Sequence, residues 1–396
     1  MKNKNIIVVG QQAWDTEIGS NCKNIALEFA KQNKVLYINF PLDRITKFRG
    51  KKDPKIQKRL KVIAGKEDGL IQISPNLYQL YPNCLIESIN WIPSNLIFRW
   101  FNKINNKKLA RAIKPALKQL NFTDFILFND SDMFRSFHLK ELLAPKLSIY
   151  YSRDNMLATS YYKKHGQTLE PQIIAQADVC VANSEYLKNY CKQYNINSYY
   201  VGQGCDFTIF NVPKIGEVST TLKQLRYPII GYVGVLTSAR LDIDLIYFIA
   251  KSKPEWNIVL VGPEDDAFVN SALHQLANVH FLGAKPTDDL PKYINFFDIC
   301  FNPQLLNELT IGNYPRKIDE YLALGKPTIA TKTETMDVFK DYVYLANSAE
   351  EYVVGIAYLL KNNTQDLIAE RKKFALSHTW ENSVAAIYKA INHSNN

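Results

Sequence analysis

The sequence lacks the markers of several protein classes. Its six cysteines include no C-x-x-C pair and match no metal spacing, so no zinc site is predicted. No apolar run approaches the roughly 18 residues that a membrane-spanning helix needs, and the apolar segment after the N-terminus is too short for a signal peptide. With 16 glycines and 17 prolines in 396 residues, the composition is neither collagen-like nor of low complexity. We therefore expect a soluble, cytoplasmic protein of two domains.

Several catalytic motifs are also missing. The first predicted strand is followed by G-Q-Q-A-W-D, which lacks the G-x-G-x-x-G turn of dinucleotide-binding proteins. The chain contains no P-loop, no H-E-x-x-H and no G-x-S-x-G, and its six histidines are scattered. Asp130 and Asp132 match the D-x-D sequence of a metal-binding motif, but a turn is the favoured interpretation. No metal ligand and no bound cofactor are predicted.

The positive charge is concentrated in the first half of the chain. Residues 1–205 hold 30 lysines and arginines against 16 aspartates and glutamates, whereas residues 206–396 hold 18 against 22. Residues 44–61 carry nine cations and one anion, and residues 91–111 mix Trp, Phe, Ile and Leu with cations. Such segments are typical of proteins that bind an anionic membrane surface. A solvated loop followed by a basic helix packed on its own domain explains the same pattern, and nucleic-acid binding is disfavoured because no recognition motif accompanies the charge.

Apolar strand patterns alternate with helix patterns along the whole chain. In the first half, strands are predicted at residues 6–9, 35–38, 77–80, 125–128, 147–151, 179–182 and 199–201. In the second half they are predicted at residues 229–233, 257–261, 279–281, 299–301, 327–330 and 343–345. This alternation favours parallel sheets covered by helices on both faces. We predict a Rossmann-like domain over residues 1–205, a linker over 206–227, a second Rossmann-like domain over 228–371 and a terminal helix within 372–396.

Residues 312–330, G-N-Y-P-R-K-I-D-E-Y-L-A-L-G-K-P-T-I-A, carry the strongest chemical signal. They predict a loop, a helix bearing Lys317 and Glu320, a Gly325 cap and a strand. The N-terminus of such a helix offers backbone N–H groups and a positive dipole end to a phosphate. Lys317 adds a positive charge in the first turn, and Glu320 is placed to accept hydrogen bonds from two ribose hydroxyls.

The E-Y-L-A-x-G-K-P run, preceded by P-x-K, resembles the donor-binding motif of the family 4 glycosyltransferases of the GT-B fold, which are retaining enzymes that use nucleotide sugars (group 1). Further segments resemble other parts of that family in the same order. They are residues 177–184, 204–206, 230–245, 256–263, 278–283, 290–298 and 377–383. The resemblance implies two Rossmann-like domains that face a cleft, with a C-terminal helix that crosses back to the N-terminal domain.

The resemblance also implies roles for particular residues. Arg240 takes the place of the pyrophosphate lysine of the family, assisted by Lys317, and Glu320 takes the ribose role. Main-chain groups at Gly283 and Ala284 would contact the base.

In the first domain, Gly19 and Ser20 match the small residues of the loop that faces the diphosphate. Asp154, with Arg153 beside it, would grip or activate the acceptor hydroxyl. A helix cap or a structural ion pair is the alternative for Asp154.

Two positions depart from the family pattern. Val235 stands where the family has a second basic residue, and Gly312 stands where it has the first glutamate of an E-x7-E motif. Glu308 and Asn313 lie in the same loop and are candidates to replace the lost contacts.

The sequence thus predicts a glycosyltransferase that uses a nucleoside-diphosphate sugar, with UDP or GDP as the nucleotide and no metal. The acceptor would be a glycan or a lipid-linked glycan at the inner face of a membrane. A catalytically degenerate GT-B protein that binds a nucleotide or glycan as a partner of another transferase is the alternative. A nucleotide-sugar epimerase is a second enzyme reading, but no convergent acid and base residues support it.

Overall fold

The computed structural model describes residues 1–16, 19–50, 52–210, 222 and 224–394. The chain divides into two compact units: unit 1 comprises residues 1–202 and 383–396, and unit 2 comprises residues 203–382. Glu17, Ile18, Lys51 and most of the predicted linker lie outside the described residues. No helix in the described part of the chain is both long and apolar enough to cross a membrane.

Unit 1 is built on an eight-stranded sheet in the order β10-β9-β8-β7-β1-β2-β5-β4. Its strands are β1 (Asn5–Gly10), β2 (Lys34–Ile38), β4 (Leu70–Ser74), β5 (Leu77–Leu80), β7 (Ile126–Asp130), β8 (Leu147–Ser152), β9 (Val179–Ala182) and β10 (Ser198–Tyr200). All neighbours pair in parallel except β4, which runs antiparallel to β5 at the sheet edge. The short strands β3 (Leu42–Asp43) and β6 (Leu85–Ile86) form a separate parallel pair.

Helices flank this sheet. Those described are α1 (Asn21–Ala30), α2 (Arg44–Arg49), α3 (Pro54–Ile63), α4 (Asn95–Gln119), α5 (Leu139–Leu143), α6 (Ser160–Gln176), α7 (Glu185–Lys192) and α14 (Trp380–Ser394). The terminal helix α14 joins unit 1 because Tyr388 stacks on Phe29 at 5.7 Å between ring centroids and accepts a hydrogen bond from Asn33 at 2.9 Å. This aromatic contact anchors the last helix beside α1.

Unit 2 is built on a six-stranded parallel sheet in the order β13-β12-β11-β14-β15-β16. Its strands are β11 (Ile229–Val233), β12 (Asn257–Val261), β13 (Val279–Phe281), β14 (Ile299–Asn302), β15 (Thr328–Thr331) and β16 (Tyr344–Ala346). Its helices are α8 (Ile243–Ser252), α9 (Asp266–Val269), α10 (Leu290–Phe296), α11 (Arg316–Ala323), α12 (Ala349–Lys361) and α13 (Gln365–Ala375).

The side chains of β11 show why the strands of unit 2 read as continuous apolar runs. Ile229 and Val233 belong to the core on one face of the sheet, whereas Ile230 and Tyr232 belong to the core on the other face. Successive side chains of a strand point to opposite faces. Because helices cover both faces, every position of the strand must be apolar.

Three predicted segments differ from the structure. The helix predicted over residues 372–391 is two helices, α13 and α14, which are separated at residues 376–379. The predicted linker is not a free connection throughout its length, because Phe207, Phe210 and Leu222 are buried in the core of unit 2. Residues 266–276, whose pattern predicts one helix between β12 and β13, form two elements, since α9 ends at Val269 and a separate 3-10 turn covers Ala272–Gln275.

Candidate functional site

The centre of the unit 2 sheet is a switch point in the strand order. Strand β11 pairs with β12 on one side and with β14 on the other, so the connections leave it in opposite directions. Ligands of open parallel sheets bind outside the carboxyl ends of the strands at such a point. Gly234, Gly262 and Gly283 follow the carboxyl ends of β11, β12 and β13 directly or within two residues.

Two of these glycines allow close backbone packing at the switch point. Gly262 has a φ of +156°, and a Cβ atom there would lie 1.8 Å from the carbonyl oxygen of Gly234. Gly234 has a φ of +143°, and its Cβ atom would lie 2.9 Å from the Lys317 Nζ atom. Only glycine adopts this backbone region without strain. The glycine turn after β11 therefore lies directly beneath the Lys317 ammonium group.

The N-terminus of α11 carries basic side chains and no side-chain cap. The helix begins after Pro315, and the Arg316 and Ile318 amides donate to the main-chain carbonyl oxygens of Tyr314 and Pro315. Lys317 contacts the Tyr232 hydroxyl, and its Nζ atom lies 3.9 Å from the centroid of that ring. The Nε atom of Arg316 is buried and has no hydrogen-bond partner in the described part of the chain. These donors form a cluster suited to a phosphate group.

Glu320 lies one turn further along α11 and is half-buried. Burial raises the pKa of its carboxyl group, and the nearby charges of Arg316 and Lys317 only partly offset this rise. Among the described residues none donates a hydrogen bond to this carboxylate. A partly desolvated carboxylate with free lone pairs is able to accept two hydrogen bonds from a vicinal diol. The geometry therefore agrees with the predicted ribose contact, which stays a prediction.

Arg240 lies near the same edge of the sheet, in the loop that follows β11. Its side chain is exposed, and its carbonyl oxygen accepts a hydrogen bond from the Leu305 amide at 2.9 Å. The Asp242 amide donates to the Pro303 carbonyl oxygen at 2.9 Å. The two loops after β11 and β14 are thereby joined, which places Arg240 beside the loop that carries Glu308 and Asn313. Its pyrophosphate role stays a prediction.

Gly283 and Ala284 form an open backbone segment just past β13. Gly283 has a φ of +67° and no heavy atom within 4 Å of the position of a Cβ atom. Ala284 is exposed. This open segment leaves room for a planar base, and contact of these main-chain groups with the base stays a prediction.

In unit 1, Ser20 is the cap of α1. Its hydroxyl oxygen accepts a hydrogen bond from the Lys23 amide at 3.3 Å, and the side chain is 2% exposed. Gly19 beside it is exposed. Ser20 therefore has a structural task that sequence reasoning did not assign to it, and a diphosphate role for Gly19 and Ser20 stays a prediction.

Asp154 lies at the end of a chain of ion pairs. Its carboxylate accepts a hydrogen bond from the Arg153 guanidinium at 2.7 Å, and Arg153 also donates to the fully buried Asp130 at 2.6 Å. Burial opposes the charge of Arg153, but the two carboxylates more than compensate and raise its pKa. Asp154 is 39% exposed. The structure thus shows the ion-pair alternative for Asp154 while leaving its carboxylate accessible to a ligand.

Sequence reasoning missed a cavity of about 1080 Å³ in unit 1. Its wall combines aromatic rings with amide, hydroxyl and charged groups, including Phe40, Trp91, Phe98, Phe134, Tyr161, Tyr162, Gln11, Asn90, Asn102, Asn105, Arg59 and Arg135. Gln11 accepts hydrogen bonds from Arg135 and Tyr162, both at 2.8 Å. Arg135 also lies 3.7 Å from the centroid of the Phe40 ring. Aromatic faces alternating with polar groups suit a carbohydrate, whose rings have apolar faces and hydroxyl edges.

Arg59 requires a correction within the basic segment. It is one of the nine cations counted in residues 44–61 as a basic segment suited to an anionic surface, but it is 9% exposed and pairs with Asp15 at 2.7 Å. The signal was present in the sequence, because Arg59 lies three residues from both Ile56 and Val62 on the buried face of α3. Asp132 accepts hydrogen bonds from the amides of Phe134 and Arg135, which is the behaviour expected of a turn residue.

Comparison with known proteins agrees with this geometry. The family model for glycosyl transferases group 1 matches residues 227–362. A Bacillus subtilis (strain 168) protein named "Putative teichuronic acid biosynthesis glycosyltransferase TuaH" is 28% identical over 250 residues. That match spans 61% of this chain and 57% of the relative, so the chain is matched to little more than half of that protein.

Solved structures match the chain over nearly its whole length. Anabaena HepE in complex with UDP and glucose has a TM-score of 0.64 and 14% identity, over 99% of this chain and 100% of HepE. Sucrose-phosphate synthase from Thermosynechococcus elongatus has a TM-score of 0.65 and 14% identity, over 99% of both chains. The predicted fold and the resemblance are therefore confirmed: the chain has the GT-B fold, and residues 227–362 match the family model of the group 1 glycosyltransferases.

Proposed function

We propose that the protein is a glycosyltransferase that moves a sugar from a nucleoside diphosphate to a glycan or lipid-linked glycan. The observation that carries this proposal is the arrangement on α11, where Lys317 lies over the Gly234 turn, the helix N-terminus is uncapped, and Glu320 has free lone pairs. Lys317 and the N-terminus of α11 suit the diphosphate of a nucleotide, and Glu320 suits its ribose. They lie within the segment that matches the group 1 family.

The proposed donor is a UDP-sugar, with a GDP-sugar as the second choice. HepE, which shares the fold, is described in complex with UDP and glucose. The relative TuaH is named for teichuronic acid biosynthesis, so synthesis of a cell-surface polysaccharide or glycoconjugate is the proposed setting. We place the protein in the cytoplasm, at the inner face of the membrane.

The proposed reaction retains the configuration of the sugar and uses no metal ion. The departing phosphate oxygen then guides the acceptor hydroxyl to the same face of the sugar, so catalysis consists mainly of positioning donor and acceptor and of stabilising negative charge on the leaving diphosphate. Lys317, Arg240 and the N–H groups of α11 are the residues that would supply this charge stabilisation. Asp154 is the candidate to orient the acceptor hydroxyl.

Calorimetric titration with UDP, GDP, ADP and dTDP, with and without Mg²⁺, tests the donor site. We expect selective binding of one nucleotide that does not depend on Mg²⁺. Lys317→Ala should weaken that binding more than about tenfold, since it removes a cation from a charge-assisted hydrogen bond. Lys361→Ala, at the exposed end of α12, is the matched control and should bind like the unaltered protein. If none of the four nucleotides binds, the donor-site assignment is wrong.

A catalytically degenerate partner protein is the second candidate. Val235 is 60% exposed where the family has a basic residue, and Gly312 offers no carboxylate to the sugar hydroxyls. Slow hydrolysis of the UDP-sugar in the absence of acceptor distinguishes the two functions. An active transferase should release UDP and free sugar over hours, and the release should be lost in Lys317→Ala. A protein that binds UDP tightly yet releases no sugar from any UDP-hexose would be assigned to the degenerate class.

A further inference from the structure

Helix α4 presents an apolar surface to solvent where a surface helix is normally polar. Leu96, Ile97 and Trp100, in its first two turns, are 81%, 52% and 62% exposed. The opposite side of the helix is packed normally, since Phe98 is 1% exposed. A surface helix normally turns its polar side outward. Here three of the five exposed side chains in the first two turns are apolar.

The apolar surface continues from α4 onto α2. Trp91 donates a hydrogen bond from its indole nitrogen to the Ser88 carbonyl oxygen at 2.8 Å, and the Ile45 amide donates to the Ser88 hydroxyl at 3.0 Å. Trp91 is 71% exposed and Ile45 is 43% exposed, so both flank Ser88 at the surface. Phe48, three residues after Ile45 on α2, is 76% exposed. The α2–α4 surface is defined here as Ile45, Phe48, Trp91, Leu96, Ile97 and Trp100.

Positive charge surrounds the α2–α4 surface. Helix α4 contains seven lysines and arginines and no aspartate or glutamate. Six of these cations are exposed, and among them Arg99, Lys103, Lys107 and Arg111 pair with no carboxylate in the described part of the chain. Lys47, Arg49 and Lys52 extend the charge along α2 and the following turn.

Exposed apolar side chains surrounded by cations indicate which partner binds the α2–α4 surface. Two tryptophans and three aliphatic side chains beside unpaired cations match the interface of an anionic bilayer, where indole rings rest at the headgroup level and cations meet lipid phosphates. A second copy of the chain is disfavoured, because the two surfaces would bring like charges together. Nucleic acid offers the negative charge but no apolar phase for Leu96 and Ile97.

We propose that the α2–α4 surface docks on an anionic lipid bilayer. Ile45 and Trp91 also line the 1080 Å³ cavity, so docking would bring that cavity next to the lipid surface. An acceptor with a lipid anchor then reaches the cavity without leaving the bilayer. The identity of this acceptor rests on the proposed transferase function, whereas docking itself does not.

Co-sedimentation of the full chain with vesicles tests the proposal. We expect binding to phosphatidylcholine vesicles that contain phosphatidylglycerol and little binding to phosphatidylcholine alone, with loss of binding in high salt. Leu96→Ser combined with Trp100→Ser should weaken partitioning more than about tenfold, and so should Lys103→Glu combined with Lys107→Glu. All four positions are exposed, so both variants should fold.

Two matched controls test whether the loss of vesicle binding is specific to the α2–α4 surface or follows from changing any exposed apolar side chain or cation. Ile196→Ser removes an equally exposed aliphatic side chain of unit 1, and Lys146→Glu reverses an exposed cation elsewhere in that unit. Both controls should bind vesicles like the unaltered protein. Equal vesicle binding by the control and the α2–α4 variants would overturn the proposal, as would a stable dimer that the Leu96 and Trp100 changes dissociate. UDP affinity, measured in parallel, should be the same in all variants. If neither the unaltered protein nor any variant binds UDP, the transferase function is refuted, whereas the docking proposal is not affected.

Discussion

Replacing Glu320 by glutamine tests whether the arrangement on α11 exists for a ligand. The carboxylate is half-buried, and no described residue donates a hydrogen bond to it. Burial raises its pKa, so the folded protein pays a free-energy cost for keeping this group ionised. We expect Glu320→Gln to weaken nucleotide binding and, at neutral pH, to raise the thermal midpoint of unfolding. Weaker binding together with higher stability is typical of replacing a functional group. If the carboxylate were structural, its replacement would lower the stability as well.

The size of the binding effect follows from the hydrogen bonds involved. A hydrogen bond to a charged group contributes about 1.5–3 kcal/mol, and an amide oxygen retains part of it. We therefore expect the change to cost roughly 1–3 kcal/mol, which is a five- to 150-fold increase in the Kd for UDP. The effect should depend on pH. Because a diol donates to the ionised form, affinity should fall as the pH drops through the raised pKa of Glu320, and this pH dependence should be absent in Glu320→Gln.

Calorimetric titration with UDP at several pH values measures both quantities, and thermal unfolding without ligand measures stability. Glu255→Gln, which alters an exposed carboxylate of unit 2, is the control and should change neither. Unchanged UDP affinity in Glu320→Gln would refute the assignment of this carboxylate to the ribose. A lowered thermal midpoint would refute the reasoning about its burial.

Three further predictions concern single positions. Gly234→Ala places a Cβ atom against Lys317 at a backbone φ that only glycine adopts without strain. The change should cost about 1–3 kcal/mol of stability and lower the UDP affinity more than about tenfold. An unaltered affinity in calorimetry would contradict this. Burial raises the pKa of Glu170 to about 7 from 4.5. The free energy of unfolding measured in urea should therefore fall as the pH rises from about 4.5 to about 7, and it should stay constant above that range. Glu170→Gln should weaken this pH dependence. Asp319→Ala removes a fully buried carboxylate that accepts hydrogen bonds from Tyr314 at 2.8 Å and His378 at 2.6 Å, so urea unfolding should show a loss of about 3–5 kcal/mol. A loss below about 1 kcal/mol would show that these partners are satisfied in another way.

The strands were predictable because their signal is local. A strand buried on both faces is apolar at nearly every position, and residues 229–233 and 257–261 agree with β11 and β12. Strand β4 was missed, because it lies at the sheet edge and its residues are only partly buried, which leaves the mixed sequence L-I-Q-I-S. Burial on both faces, rather than strand propensity, produced the readable pattern.

The break between α13 and α14 was not predictable from local sequence. His378 lies in the break, where its carbonyl oxygen accepts a hydrogen bond from the Cys205 amide at 2.8 Å and its ring contacts Asp319. Both partners are distant in the chain, so tertiary contacts override a helical pattern that would otherwise continue.

The candidate site was predictable where it depends on one segment and not where it depends on several. Lys317 and Glu320 are one turn apart on the same helix, so the motif alone places them on α11. The unit 1 cavity instead combines residues from the loops after β1 and β7 with residues of α2, α3, α4 and α6. No local pattern announces such a cavity, because each contributing residue is ordinary within its own element.

The positions at which local rules fail have a common character. Glu320 is a half-buried carboxylate without a described hydrogen-bond donor, and Leu96 and Trp100 are apolar side chains on the solvent side of a helix. Each feature is unfavourable for the isolated chain, since one costs desolvation and the other exposes apolar surface. Core packing explains neither, whereas a diol at Glu320 and a bilayer at α4 would satisfy both. Because sequences break such rules mainly where function compensates, these two violations are independent evidence for two different ligands on the same chain.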